Sequence, residues 1–317
     1  KAEQRLIASA GPSNVQRQKV GGLQHNKTIA VMGKVIRAIG GSTNMSWRGF
    51  FVQNNNAVMV SGATAVKLFF DQFEDMWENS NSAAGFAGTD SADGWKGLGL
   101  TGIDAQIAFS PHSDANALLR EVADDITSAG SSLLYSLAFL YQTEGVIKDA
   151  VVAVTRNDGR FVYGISDRDT GDLDLKTPDG NVPITYPAAL LRDVPEPFLE
   201  EAVGGGGVRM HHKFVVIDFD KPTARVYTGS YNFSIAADTK NGENLFIFRD
   251  KRVAISYMIQ AVIMFDHYEW RDAVAKATES TGKLYLKKPP TNATDATWFD
   301  EDYAIPQKIR DREIFGN

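Results

Sequence analysis

Residues 211–218 read HHKFVVID, and GSYN follows at 229–232. Residues 25–27 read HNK, and 41–44 read GSTN. The two stretches say the same thing in the same order. His25 and His211, Gly41 and Gly229, Asn55 and Glu243, and Phe70 and Phe265 stand 186, 188, 188 and 195 residues apart. Context repeats as well: VQNNNAVMV at 52–60 matches KNGENLFIF at 240–248, and FDQFEDMW at 70–77 matches FDHYEWRD at 265–272. Preserved order at near-constant offset is the mark of a duplicated supersecondary unit.

Each copy predicts the same elements. HNKTIAVM and HHKFVVID read as strands whose apolar runs are dense enough for burial on both faces. KVIRAIGG and ARVYTGS give a second strand ending at the Gly-Ser, and AVMVSG and NLFIF a third. A helix closes the unit, with Val66, Phe69, Phe70, Phe73 and Trp77 forming one stripe in the first copy. In the second, Met258, Val262, Phe265 and Trp270 do the same. Residues 79–105, rich in Asn, Ser, Gly and Asp, predict a linker or loop. The second copy has an α/β lead-in: a strand near 106–109, a helix over 114–128, a strand at 132–139, a helix over 143–155 and a strand at 160–166. Residues 167–207 read as loop, ending in a hinge of four glycines at 204–207. The first copy has no such lead-in, so a further N-terminal segment or chain is expected to complete it. The expected organisation is a first repeat over 1–78, the linker, a complete repeat over 106–280 and a tail over 281–317. The fold class is α/β: two similar lobes, each a mixed sheet between helices, with the site at their pseudo-twofold seam.

Composition narrows the chemistry. The 317 residues carry 33 Lys and Arg against 39 Asp and Glu, a net charge of −6, so no general pull on nucleic acid is advertised. There is no cysteine, which removes thiolate chemistry and leans toward an exported protein. No apolar run reaches the length of a membrane span. Five histidines without His-x-x-x-His spacing make a poor metal site, and no metal or cofactor is expected. Two histidines at equivalent places suit phosphoryl chemistry: one imidazole attacks phosphorus, the other protonates the leaving oxygen. Lys27, Lys213, Asn44 and Asn232 supply donors for phosphoryl oxygens, and Ser42 and Ser230 place small side chains beside the substrate. His212 should point away from His211 by strand alternation. His112, at a strand-to-helix turn, is a candidate substrate contact, although a capped loop residue is the commoner reading of such a position. His267, within the closing helix, reads as structural.

These residues resemble the phospholipase D superfamily, whose signature is H-x-K-x4-D followed by G-S/G-x-N. The second copy fits throughout at His211, Lys213, Asp218, Gly229, Ser230 and Asn232. The first fits at His25, Lys27, Gly41, Ser42 and Asn44, but Met32 replaces the aspartate and Asn55 stands where the second copy has Glu243. The resemblance implies that His25 is the nucleophile and His211 the acid, that the motif aspartate is structural, and that Glu243 supports a catalytic histidine. Asp218 and Glu243 lying behind His211 would give His211 the better carboxylate support. The implied activity is metal-independent phosphodiester hydrolysis through phosphohistidine; the motif leaves the substrate open, and the net charge of −6 leans it to a phospholipid, with peripheral membrane contact. A nuclease of the same superfamily and a binding protein with a degenerate site are the alternatives.

Overall fold

A computed structural model describes residues 1–140, 143–157, 159–167, 184–185, 210–280 and 288–316. The glycine hinge and most of 167–207 lie outside the described residues. The first repeat is a three-stranded antiparallel meander of β1 (Ile29–Met32), β2 (Ile36–Gly41) and β3 (Ala57–Ser61). A short helix α2 (Trp47–Phe51) sits between β2 and β3, and α3 (Ala63–Glu78) follows β3. Helix α1 (Ala2–Ala10) precedes them.

The second repeat carries the same meander as β9 (Lys213–Ile217), β10 (Arg225–Gly229) and β11 (Glu243–Arg249), with helix α7 (Ile235–Thr239) between the last two. It extends to eight strands by β4 (Lys96–Gly97), β5 (Asp104–Ser110), β6 (Ser132–Leu137), β7 (Phe161–Ile165) and β8 (Ile184–Thr185). The order is β4-β5-β11-β10-β9-β6-β7-β8, parallel only from β6 to β8. One face is covered by α5 (Leu119–Thr127) and α6 (Val146–Thr155), whose Val122, Ile126, Val151 and Val154 pack on Val215, Ile217, Tyr227, Leu245 and Ile247. The other takes α8 (Lys251–Ser280), through Ala261, Met264, Phe265 and Tyr268. Trp270 stays partly exposed. After α9 (Asp300–Ala304), α10 (Pro306–Gly316) sets Phe315 edge-on to Phe161 and against Phe219.

Three expectations change here. The first-copy strands are not buried on both faces. Ala38 and Val60 pack under α3, whose Val66 and Phe69 reach Phe109 and Phe246 of the large sheet. The opposite face carries the cross-strand row Ile29, Ile39 and Met59 with Val31 beside it, and Ile29, Val31 and Met59 are exposed. In the second repeat the equivalent residues are the ones α5 and α6 cover; no described helix does this for the first. The stretch 79–103, read as a loop, folds as α4 (Ala83–Ala87) and β4, because Phe86 and Leu98 drop into the core shared with α3. The helices expected at 114 and 143 begin later, at Leu119 and Val146.

Candidate active site

The meander brings each motif strand to the seam, and the two repeats then interlock by backbone. His25 N–H donates to the Gly242 carbonyl (2.9 Å), and His211 N–H donates to the Asn54 carbonyl (3.0 Å). Each histidine is thereby pinned to the start of the other repeat's third strand. The imidazoles meet edge to face, with ring centres 6.3 Å apart.

This crossing decides which carboxylate serves which histidine. Glu243 Oε2 lies 2.7 Å from His25 Nδ1, and Asn55 Oδ1 lies 2.7 Å from His211 Nδ1. The expectation that His211 has the better carboxylate support is therefore corrected: Glu243 serves His25, and His211 gets a neutral amide. The serines follow the same rule. Ser230 Oγ donates to Glu243 Oε2 (2.6 Å), and Ser42 Oγ donates to Asn55 Oδ1 (3.0 Å). Asn55 spends its Nδ2 protons on the carbonyls of Gly49 and Gln53, which leaves only its oxygen for His211. Against these acceptors both histidines carry their proton on Nδ1, so both Nε2 atoms are left for substrate.

The glycines at the two strand ends are equally constrained. Gly41 and Gly229 have φ of +150° and +151°, and a Cβ there would come within 2.4 Å of the Asn56 carbonyl oxygen or 2.2 Å of that of Asn244. Only glycine fits this approach.

Both lysines are buried and donate to the carbonyl of their own motif histidine: Lys27 to His25 (2.5 Å) and Lys213 to His211 (2.9 Å). Burial pushes Lys27 down to about 8, against the pull of Glu243. Burial, then repulsion from Lys27, pushes Lys213 down to about 7. Burial, followed by repulsion from Lys213, Lys27 and His25, takes His211 from 6.5 to about 2. An anion placed between the lysines would oppose each shift. Asn44 donates weakly to Gln53 Oε1 (3.5 Å), while Asn232 buries its Oδ1 without a hydrogen-bond partner.

Phe139, which the sequence did not single out, stands edge-on to His211 at 6.4 Å and under the Lys213 ammonium at 5.7 Å. Its position just past β6 was the only signal.

Asp218 does not sit behind His211. It ends β9 at the opposite end of the strand, and its carboxylate accepts from the backbone amides of Gly130 and Ser131 at 2.8 Å each and from Ser132 at 3.3 Å. It clips β9 to the start of β6. Burial alone would raise its pKa, but the amides of Ser131, Gly130 and Ser132 outweigh burial and hold it below 3.8. A carboxylate depressed in the folded state stabilises above its unfolded pKa, and that stability is lost as pH falls through the folded value. Asp218→Ala is expected to cost about 1.5–3 kcal/mol in urea unfolding at pH 7, and less near pH 3. An equal loss at both values would count against the clip.

His112 is also placed elsewhere. Its Nδ1 lies 2.9 Å from the Ala92 carbonyl oxygen and its Nε2 4.0 Å from Asp238, which Tyr231 contacts. It braces α7, and neither Ala92 nor Asp238 belongs to the motifs. His212 points away from the cleft, edge-on to Phe214. His267 lies partly buried in α8. Among the described residues, no group of three or more His, Cys, Asp or Glu is placed to hold a metal ion.

A family described as cardiolipin synthase, PLD-like domain, matches residues 122–261, the stretch that holds the whole second motif. Over that stretch, somewhat under half of its length, the chain is similar to the phospholipase D superfamily. A phospholipase D of Rickettsia typhi is 44% identical over 48 residues, 15% of this chain and 22% of that protein. The match thus spans about a fifth of that relative's length. A phospholipase D family member, Nuc from Salmonella typhimurium, superimposes with a TM-score of 0.36 at 22% identity, covering 52% of this chain and 95% of that one. Phosphatidylserine synthase of Haemophilus influenzae does so with a TM-score of 0.45 at 11% identity, over 71% and 58%.

Proposed function

We propose that the chain is a phosphodiesterase that works through a phosphohistidine. The observation that carries this reading is the facing pair His25 and His211, each oriented through Nδ1 by the other repeat. His25 Nε2 attacks phosphorus, the bond to the leaving oxygen breaks, and His211 gives that oxygen a proton. Water then attacks the phosphohistidine, His211 takes the water's proton, and His25 is released with a phosphomonoester as product. Lys27 and Lys213 neutralise the phosphoryl oxygens, and Asn44 and Asn232 add donors once their side chains turn to the substrate. His25 is given the nucleophile's role because the Glu243 carboxylate stabilises the imidazolium character that develops on attack.

A neutral imidazole cannot act as an acid, so substrate must charge His211. Burial is the largest cause of its low pKa; the phosphodiester anion acts on the next, the repulsion from Lys213 and Lys27, and so favours the charged imidazole. All charge handling falls to side chains of this chain, and turnover of bis-p-nitrophenyl phosphate is expected to survive EDTA. The proposed physiological substrate is a phospholipid. Assays on phosphatidylcholine and on plasmid DNA, run side by side, test it: cleavage of plasmid alone would replace the lipid reading with a nuclease. Asn55 opposite His211 is the observation that favours a binding protein with a relic site. Absence of turnover on every phosphodiester, with retained phosphate binding, would establish that reading instead.

A further inference from the structure

Helix α2 begins three residues after the motif residue Asn44 and exposes Trp47 at 69% and Phe51 at 75%, their rings 6.0 Å apart. Phe50 and Met45 beside them are exposed too. The second repeat shows how much of this follows from the uncovered sheet face. α7 is built like α2: Ser234 caps it through the Ala237 amide, as Ser46 caps α2 through Gly49. At the repeat offset Met45 and Phe50 correspond to Phe233 and Asp238, both buried where the lobe is covered. Trp47 corresponds to Ile235, which stays 46% exposed on the covered lobe. Phe51 corresponds to Thr239, half-buried on a helix edge. A covering element like α5 and α6 would therefore bury Met45 and Phe50 and leave Trp47 outside. Both repeats place a large apolar side chain on the surface three residues beyond the motif asparagine.

Charge is distributed to match. Residues 4–70 hold eight Lys and Arg and no Asp or Glu, in a chain whose net charge is −6; of the eight, Lys27 is buried in the cleft, and Arg17 and Lys67 pair with Glu3 and Asp71. The acids that follow, Asp71, Glu74, Asp75 and Glu78, lie on α3, the helix covering the other face of the small sheet. The uncovered face carries Arg37 in the row with Val31 and Ser61. Exposed aromatic side chains on a segment with an excess of cations suit an interfacial membrane contact: rings enter the head-group boundary while cations meet anionic lipid. Duplex nucleic acid would satisfy the charge without using Trp47 and Phe51; only a single strand could stack on them.

We propose that α2, with Trp47 and Phe51 on one exposed face, docks onto an anionic phospholipid bilayer and brings the His25–His211 cleft to head-group level. The benefit to catalysis rests on the phosphodiesterase reading; the docking itself does not. The test is co-sedimentation with vesicles of phosphatidylcholine alone and of phosphatidylcholine with phosphatidylglycerol. The parent should bind the mixed vesicles better. Trp47→Ser and Phe51→Ser together should lower that partition by about tenfold or more, and slow vesicle hydrolysis in parallel. Turnover of soluble bis-p-nitrophenyl phosphate should not change, which also shows that the variant folds. The single variants should fall between. Equal binding by parent and double variant, or no binding by the parent, overturns the proposal. So does a parent dimer in light scattering that the double variant dissolves, since a second copy would then own this surface. So does plasmid binding lost with the same substitutions. Vesicle binding that behaves as expected, without turnover of any phosphodiester, keeps the docking surface and removes the enzyme reading.

Discussion

His25→Ala is expected to abolish turnover and, with it, any covalent label from a radiolabelled phosphodiester. His211→Ala should behave differently. Its His25 keeps Glu243 2.7 Å from Nδ1, so the attacking nitrogen and its support are intact. With a poor leaving group this variant should lose about 10²–10⁴-fold in rate, the usual contribution of one general acid. With p-nitrophenolate leaving, protonation matters little, and His25 should still be phosphorylated. The phosphoenzyme should then accumulate, because the base that activates water is gone. Denaturing gels report both results directly. Label on the His25→Ala protein and none on His211→Ala would reverse the roles. That reversal would have to explain how a histidine held only by an amide attacks while its carboxylate-paired neighbour waits. Loss of label from parent and variants alike would leave the relic-site reading standing.

The parts of this site that were legible in the sequence are those fixed within one repeat. HHKFVVID announces β9, the Gly-Ser ends β10, and the apolar residues of NLFIF set β11, because strand period and turn chemistry act over a few residues. The duplication then places two histidines at one seam. What could not be read is which partner each histidine takes. Spacing within a copy puts Glu243 in the repeat of His211. Only the backbone exchange, His25 to Gly242 and His211 to Asn54, sends it across to His25. Asp218 shows the same limit. Five residues beyond the motif lysine it reads as a support behind His211, yet a strand runs about 3.3 Å per residue, which carries it to the far end of β9. There it clips the start of β6, and this explains Met32. Among the described residues no strand pairs with the outer edge of β1, so the first copy has nothing for an aspartate at that place to hold. The exposed row of Ile29, Ile39 and Met59 has the same origin. Its alternation encodes a two-sided strand, but the helices that bury that side in the second repeat have no described counterpart in the first.

The asymmetry between Glu243 and Asn55 yields the second large effect. Asn55→Glu places a carboxylate on His211 Nδ1, giving both imidazoles the same partner. An opposite charge at hydrogen-bond distance favours the imidazolium, so the depressed pKa of His211 should rise. His211 acts as acid only when protonated, so the falling limb of the kcat profile, where His211 loses its proton in the bound complex, should move to higher pH. Lys213, Lys27 and His25 still press on it from the cleft, so the move should be larger in substrate-bound enzyme than in free enzyme, and larger in kcat than in kcat/KM. The gain should appear with a poor leaving group and vanish with p-nitrophenolate, which needs no acid. The substitution has a structural cost. Asn55 Nδ2 donates 2.8 Å to the Gly49 carbonyl, and a carboxylate leaves that acceptor unpaired at about 1 kcal/mol. Urea unfolding separates this from chemistry, since a stability loss shifts no pH limb. A limb that stays in place in a folded variant would mean that His211 does not supply the proton, and that the acid must be sought among the buried lysines, of which Lys213, pushed down to about 7, is the better placed to give one up.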